Sequence, residues 1–81
     1  MDEMTKFRSL LDQHGIQWRG FTGSIASRPV ERTYFQIGGY IWSVIYATHR
    51  CGIKQLEVYT SKFGTQMMSA DELIKAVLAD D

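Results

Sequence analysis

The residues that come nearest to a chemical site are His49 and Cys51, in the stretch THRCG. Their spacing suits two metal ligands on one loop, but a zinc site needs about four ligands, and the other histidine, His14, ends a predicted helix. A cysteine nucleophile needs a neighbouring base or positive charge, which His49 or Arg50 could supply. A hairpin loop with a small buried thiol and a solvated histidine is the simpler interpretation. We therefore expect no metal, no cofactor and no catalytic residue, and a thiol enzyme built on Cys51 and His49 stays an alternative.

The other motifs that could do chemistry have structural explanations. The pair Gly38-Gly39 is followed by Tyr40 and lacks the lysine and the helix of a phosphate-binding loop. Asp71 and Glu72 fall in the first turn of a predicted helix, where negative charge favours the helix dipole. The chain is therefore predicted not to be an enzyme.

Charge is balanced overall but divided along the chain. The net charge is zero, which argues against a general nucleic-acid binder, because such proteins carry an excess of Lys and Arg. Residues 1–15 and 68–81 hold seven acidic against three basic residues, whereas residues 16–67 hold two acidic against six basic. A basic central region of this kind suits an acidic surface on a partner.

Length and composition predict a single domain spanning residues 1–81. The chain has 81 residues, of which 44% are hydrophobic, and this is a globular composition. No apolar run reaches the roughly 18 residues of a membrane helix, and the start, MDEMTKF, is acidic and polar, unlike a secretory signal. With a single cysteine the chain cannot form an internal disulfide, which agrees with a reducing compartment. We expect a cytoplasmic protein with no membrane partner.

Two short amphipathic helices are predicted at the ends of the chain. Apolar residues recur at three- and four-residue steps over residues 3–14, and Gly15 follows as a C-terminal cap. Towards the other end, Ser69 and Glu72 predict a capping box before the apolar stripe of residues 70–79, with the glutamate reaching back to the serine amide. Neither helix is long enough to be stable alone, so both must pack on another element.

Three or four antiparallel strands are predicted between the helices. Residues 16–23 and 54–61 alternate apolar and polar side chains. The strongly apolar stretch 33–48 contains Gly38-Gly39, a strong signal for a two-residue hairpin turn. Residues 24–31 contain Pro29 and are predicted to form an irregular loop. The predicted fold is therefore α+β, in the order α-β-β-β-α, with both helices on one face of the sheet.

The hairpin register divides the central strands into two faces. The first face carries Phe35, Ile37, Tyr40, Trp42, Val44 and Tyr46, extended by Leu56 and Val58. The second face carries Tyr34, Gln36, Ile41, Ser43 and Ile45, extended by Gln55, Glu57 and Tyr59. We assign the first face to the core, because two helical stripes need a large apolar floor. The second face is then uncovered.

An uncovered face of tyrosine, aliphatic and uncharged polar groups is typical of a contact surface. The alternative is that Ile41 and Ile45 are ordinary solvent-exposed strand residues. The predicted partner-binding residues combine this face with the basic residues of the strand ends and loops: Tyr34, Ile41, Ile45, Tyr59, Arg19, Arg28, Arg32 and Arg50. A homodimer, formed by face packing or by edge pairing of two copies, would use the same surface.

The same arginines, with Trp18 and Tyr34, could instead bind a nucleic acid or a nucleotide. The order helix, three strands, helix resembles that of double-stranded RNA-binding domains. Those domains carry a lysine-rich start to the last helix, whereas the corresponding stretch here, SADELIK, is acidic. Nucleic acid is therefore a possible partner but not the favoured one.

Three stretches, FRSLLDQHGIQW, LEVYT and MSADELIKAVL, resemble a loose group of short, uncharacterised proteins encoded by phages and prophages of bacteria. The resemblance assigns no site residue. It implies a small non-enzymatic protein that works by stoichiometric binding to a host protein or ribonucleoprotein complex in the bacterial cytoplasm. An anti-CRISPR protein, or another inhibitor of a bacterial defence system, is the function that it favours.

Overall fold

Two helices lie on one face of a five-stranded antiparallel sheet in the computed structural model, which describes residues 2–25, 28–47 and 55–79. The elements are α1 (Glu3–Gln13), β1 (Arg19–Ile25), β2 (Arg28–Ile37), β3 (Tyr40–Ala47), β4 (Leu56–Thr60), β5 (Gly64–Met68) and α2 (Ala70–Leu78). The strands lie side by side in chain order. The predicted α+β class is confirmed, and the sheet has five strands instead of the predicted three or four.

Both helices begin at side-chain caps. The Asp2 carboxylate accepts a hydrogen bond from the Thr5 amide, 2.7 Å from N to Oδ1, and Gly15 follows α1 with a positive φ of 69°. The Ser69 hydroxyl accepts from the Glu72 amide at 3.2 Å, as the capping box predicts. The Glu72 carboxylate does not reach back to the Ser69 amide, because it accepts a bond from the Ser69 hydroxyl instead.

The central hairpin follows the predicted register. Gly38 and Gly39 have φ values of 59° and 84°, the left-handed conformation that a two-residue turn requires. Ile37 is therefore paired with Tyr40, and the pairing continues without a bulge to Val30 and Ala47.

Two segments correct the sequence prediction. Residues 24, 25 and 28–31 belong to strands and not to the predicted loop, since β1 extends to Ile25 and β2 begins at Arg28. Pro29 is tolerated there because the β2–β3 ladder starts only at Val30. The strand β5 was not predicted at all, and it pairs with β4 through a three-residue turn that ends at Gly64, whose φ is 85°.

The core lies between the two helices and the sheet face that the sequence predicts to be buried. Aromatic rings form its centre: Phe35 stacks on Trp42 with ring centroids 5.7 Å apart, and Phe7 of α1 lies 5.7 Å from Phe35. The other buried members of this core are Met4, Leu11, Val44, Leu56, Val58, Ala70, Leu73, Ile74 and Val77. Ile37 and Tyr46 are only partly buried. Tyr40, also assigned to the core, is 39% exposed because it lies at the hairpin end of the sheet.

Arg8 joins α1 to the edge of the sheet. Its Nε donates to Thr33 Oγ1 at 2.8 Å, and its Nη2 donates to the Arg32 carbonyl at 3.0 Å. The guanidinium carbon lies 4.9 Å from the centre of the Trp18 ring, a cation–π contact. A Cβ on Gly20 would lie 2.9 Å from both Arg8 and Trp18, so these two side chains occupy the space that a side chain of β1 would fill.

The two helices are also joined to each other by polar contacts. Glu3 of α1 accepts from the Ala70 amide at 2.8 Å and so satisfies an unpaired donor at the start of α2. Lys6 forms an exposed salt bridge with Asp71 at 2.9 Å, which raises the pKa of Lys6 through the hydrogen bond and the charge of that partner. The helix pair thereby links the two ends of the described chain.

We expect Arg8→Met to lower the free energy of unfolding by about 1–3 kcal/mol, because Thr33 and the Arg32 carbonyl would lose a donor in a part-buried site. The matched control on the same helix is Lys6→Met, which removes an exposed salt bridge and should cost less than about 1 kcal/mol. Urea unfolding of both variants measures the difference. Equal costs would show that the Arg8 contacts contribute no more than a surface ion pair.

Stability should also depend on the charge of Asp2. The hydrogen bond from the Thr5 amide lowers the pKa of Asp2 below its usual 3.8, so the capping charge stabilises the fold above that pH and its contribution is lost as the pH falls through the lowered native pKa. Asp2→Asn keeps a capping oxygen but no charge, and at pH 7 it should be less stable by about 0.3–1 kcal/mol. Thermal unfolding between pH 7 and pH 2 should show this difference shrinking as the pH falls below 3.8. A difference that stays constant over this range would contradict the prediction.

Candidate interaction surface

The face of the sheet opposite the helices carries large apolar side chains in contact with solvent. Phe21 is 52% exposed, Ile41 60%, Tyr59 53% and Met67 41%, and the strand register places all four on this side. We call this side the open face, and it consists of Arg19, Phe21, Arg32, Tyr34, Gln36, Ile41, Ser43, Ile45, Glu57, Tyr59, Thr65 and Met67. Its exposed apolar groups are spread over four of the five strands.

The register arranges most of the open face in two rows that cross all five strands. One row runs through Phe21, Arg32, Ile45, Glu57 and Met67. The other runs through Arg19, Tyr34, Ser43, Tyr59 and Thr65. Positive charge on the open face is therefore concentrated in β1 and β2. The single acidic residue among the twelve named for this face, Glu57, lies in β4, next to β5.

Beside the two rows, Ile41 continues the open face towards the hairpin turn. It pairs with Gln36 and has the largest exposed fraction of the large apolar side chains on this face. At the opposite end the same side of the sheet is covered, since Val30 is only 1% exposed. The surface available to a partner therefore extends from the two rows towards the turn.

An aromatic and basic cluster occupies the β1–β2 part of the open face. Phe21 meets Tyr34 edge to face, with ring centroids 5.5 Å apart. Arg32 Nη1 donates to the Tyr34 hydroxyl at 3.4 Å, and Arg32 Nε is buried without a hydrogen-bond partner among the described residues. These contacts join the two aromatic rings and the guanidinium into one cluster.

An open groove of about 960 Å³ borders the open face where β1 begins. Trp18 directly precedes β1 at this point and donates a hydrogen bond to Asp12 of α1 at 2.9 Å. The groove is lined by Trp18 and the preceding loop on one side and by Tyr34, Gln36 and Ile41 on the other. A side chain of a partner that covers the open face could enter it.

Six of the eight predicted partner-binding residues come together on the open face. Ile41, Tyr59 and Arg19 are exposed. Tyr34, Ile45 and Arg32 are partly buried. The side chain of Arg28 in β2 lies outside the described residues, as does Arg50.

Two exposed large apolar residues of the open face, Phe21 and Met67, are missing from the predicted set. Phe21 lies on the open face by the alternation of β1, a signal that the sequence contains. Met67 could not be placed because β5 was not predicted. Trp18, grouped with the arginines in the nucleic-acid hypothesis, lies instead on the helix side, beneath Arg8.

The catalytic and metal alternatives gain no support from the described ranges. Within residues 2–25, 28–47 and 55–79 no group of three or more His, Cys, Asp or Glu side chains could hold a metal ion. His49 and Cys51 lie outside these ranges. No helix in the described part of the chain is long and apolar enough to cross a membrane.

Comparison of the chain with protein-family models, with curated proteins and with solved structures found no match. What the open face does must therefore be inferred from its own residues. The five-stranded sheet also departs from the helix, three strands, helix order of double-stranded RNA-binding domains, which removes that resemblance as an argument for RNA binding.

The assignment of the two faces predicts losses of stability of very different size when aspartate is introduced on each face. Ile41→Asp on the open face should change the free energy of unfolding by no more than about 1 kcal/mol, the range of strand propensities. Val58→Asp, on the helix side and fully buried, places an unpaired charge in the core and should cost more than about 4 kcal/mol. Urea unfolding of the two variants measures both values. A large loss for Ile41→Asp would show that the open face is covered.

Proposed function

We propose that this chain is a non-enzymatic protein-binding module that covers a partner protein with its open face. The observation that carries the proposal is the position of Phe21, Ile41, Tyr59 and Met67, which are all large, apolar and exposed, and all on the side without helices. A small monomer rarely exposes such a patch unless it serves an interaction.

The composition of the open face favours a protein as the partner. Tyrosine, phenylalanine, methionine and arginine are enriched in protein interfaces, where Tyr and Arg are also frequent among the residues that contribute most affinity. Tyr59 and Ile41 supply exposed anchors, and Arg19 and Arg32 supply charge at one side. We therefore expect a partner with an apolar centre and an acidic margin that meets the β1–β2 side.

A bacterial defence complex is the partner class that we propose in particular. This part of the proposal is supported by the resemblance of three stretches of the chain to small phage and prophage proteins, and it assumes a bacterial cytoplasm as the setting. Stoichiometric binding to such a complex would inhibit it by covering a working surface, without any chemistry.

A nucleic acid is the second candidate, favoured by the cluster of Phe21, Tyr34, Arg19 and Arg32. Single-stranded nucleic acids bind to aromatic side chains on a sheet face, with arginines tracking the phosphates. Zero net charge and the presence of Glu57 on the same face make this the less favoured candidate.

The test is a comparison of two double variants with the same charge change. Ile41→Asp with Tyr59→Asp alters the open face, and Ser9→Asp with Ser61→Asp alters exposed positions away from it. After capture from a bacterial lysate and purification of the captured partner, calorimetric titration should give a fixed stoichiometry. The face variant should bind at least about 30-fold more weakly, because a residue at the centre of an interface contributes about 2 kcal/mol or more. The control should bind like the wild type.

Equal affinity of the two variants would place the interface elsewhere and overturn the proposal. Salt-dependent binding to single-stranded RNA or DNA that is lost in Arg19→Ala with Arg32→Ala would favour the second candidate instead.

A further inference from the structure

The outer edge of β5 is a free strand edge. In the sheet order, β5 is the last strand and pairs only with β4. Thr65, Gln66 and Met67 are all exposed, so the described chain leaves this edge in contact with solvent. An edge strand presents unpaired N–H and C=O groups, which another strand can pair with.

The register identifies which groups point outwards. The two-residue turn at Gly38-Gly39 makes Ile37 and Tyr40 a hydrogen-bonded pair, and hydrogen-bonded and non-hydrogen-bonded pairs then alternate across each strand. Carried through β3 and β4, this alternation directs Gly64, Gln66 and Met68 towards β4. The N–H and C=O groups of Thr65 and Met67 therefore face away from the sheet.

This edge lacks two of the features that usually prevent strand pairing. The sequence of β5, GTQMM, contains no charged residue and no proline, and both are common guards of strand edges. The other edge strand, β1, contains two glycines and Arg19, and Arg8 and Trp18 close around Gly20. Glycine inside a strand weakens it. We therefore expect β5 to pair with another strand more readily than β1.

We propose that two copies of this chain pair through β5, antiparallel, about a two-fold axis at Gln66. In this register Thr65 of each copy lies opposite Met67 of the other, and each pair exchanges two hydrogen bonds. All the outward N–H and C=O groups of Thr65 and Met67 are then satisfied at once, and the contact is closed, as a two-fold interface must be. The two Gln66 residues lie opposite each other, where their amides bond without any charge repulsion.

Pairing through β5 joins the two sheets edge to edge and leaves the open face uncovered. Met67 and Thr65 of the two copies become neighbours on that face, so the open faces form one surface with two-fold symmetry. The contact is separate from the proposed function, because it is made by backbone groups of β5 and the side chain of Met67 stays on the open face. Its area is small, and we expect a weak, reversible dimer.

The first test is the solution mass by light scattering, at concentrations from about 10 μM to about 1 mM, where weak interfaces dissociate. The wild-type mass should rise with concentration from 9.3 kDa towards twice that value. Gln66→Lys places two positive charges opposite each other and should stay monomeric, whereas Ser61→Lys, in the turn before β5, should behave as the wild type. A monomeric wild type throughout this range would overturn the proposal.

A mixture of charge variants distinguishes this contact from any other dimer. Gln66→Glu alone should also be monomeric, but an equal mixture of Gln66→Lys and Gln66→Glu should recover the dimer mass, because opposite charges then face each other. Dimers of Gln66→Lys alone would assign the contact to the open face, and masses beyond a dimer would indicate pairing of β5 with β1; either result overturns the proposal.

Cross-linking tests the register itself. Opposed residues of a non-hydrogen-bonded antiparallel pair have Cα atoms about 4.5 Å apart, within the range of a disulfide. In a Cys51→Ser background, Gln66→Cys should form a disulfide-linked dimer under mild oxidation. Thr65→Cys should not, because it lies opposite Met67 of the other copy. Equal cross-linking of both variants would contradict the two-fold axis at Gln66.

Discussion

Arg8 makes the contacts that join α1 to β2 and to Trp18, and the arrangement of this side of the protein depends on them. Its guanidinium reaches from α1 to Thr33 and the Arg32 carbonyl of β2 and lies against the Trp18 ring. This position, together with Trp18, excludes a side chain at Gly20 of β1 on the helix side of the sheet. Trp18, which contacts both Arg8 and Asp12, also lines the groove beside the open face.

In the described part of the chain, the two helices cover one side of the sheet. The two helices contain 11 and 9 residues, and their buried faces close over Phe35, Trp42, Val44 and Val58. Nothing comparable packs on the open face among the described residues. Some of the large apolar side chains are therefore exposed on a surface, so the stability of the fold depends on the remaining buried ones. The buried Trp42 ring lies in this core against Phe35 and Phe63, and its N–H has no hydrogen-bond partner among the described residues.

The parts of the fold that were predictable are those with local signals. Gly38-Gly39 determined the hairpin register, and Ser69 with Glu72 marked the start of α2, so the core face and six of the surface residues followed. The contacts that were missed join distant residues: Arg8 with Thr33, and Glu3 with Ala70. The strand β5 gave no signal because GTQMM neither alternates clearly nor contains β-branched residues beyond Thr65. Pro29 suggested a loop because its tolerance depends on where the neighbouring strand ends, which only the pairing reveals.

The order of the strands has a consequence for how the chain folds. Each strand pairs with its neighbour in sequence, and contacts between near neighbours require little loop-closure entropy and favour rapid folding. The packing of α1 on α2 is different, since the Glu3–Ala70 contact joins residues 67 positions apart. The kinetic barrier should therefore lie in bringing the two helices together over a sheet that can assemble hairpin by hairpin. This topology combines strand pairing between sequence neighbours with a closure step that joins residues near the two ends of the described chain.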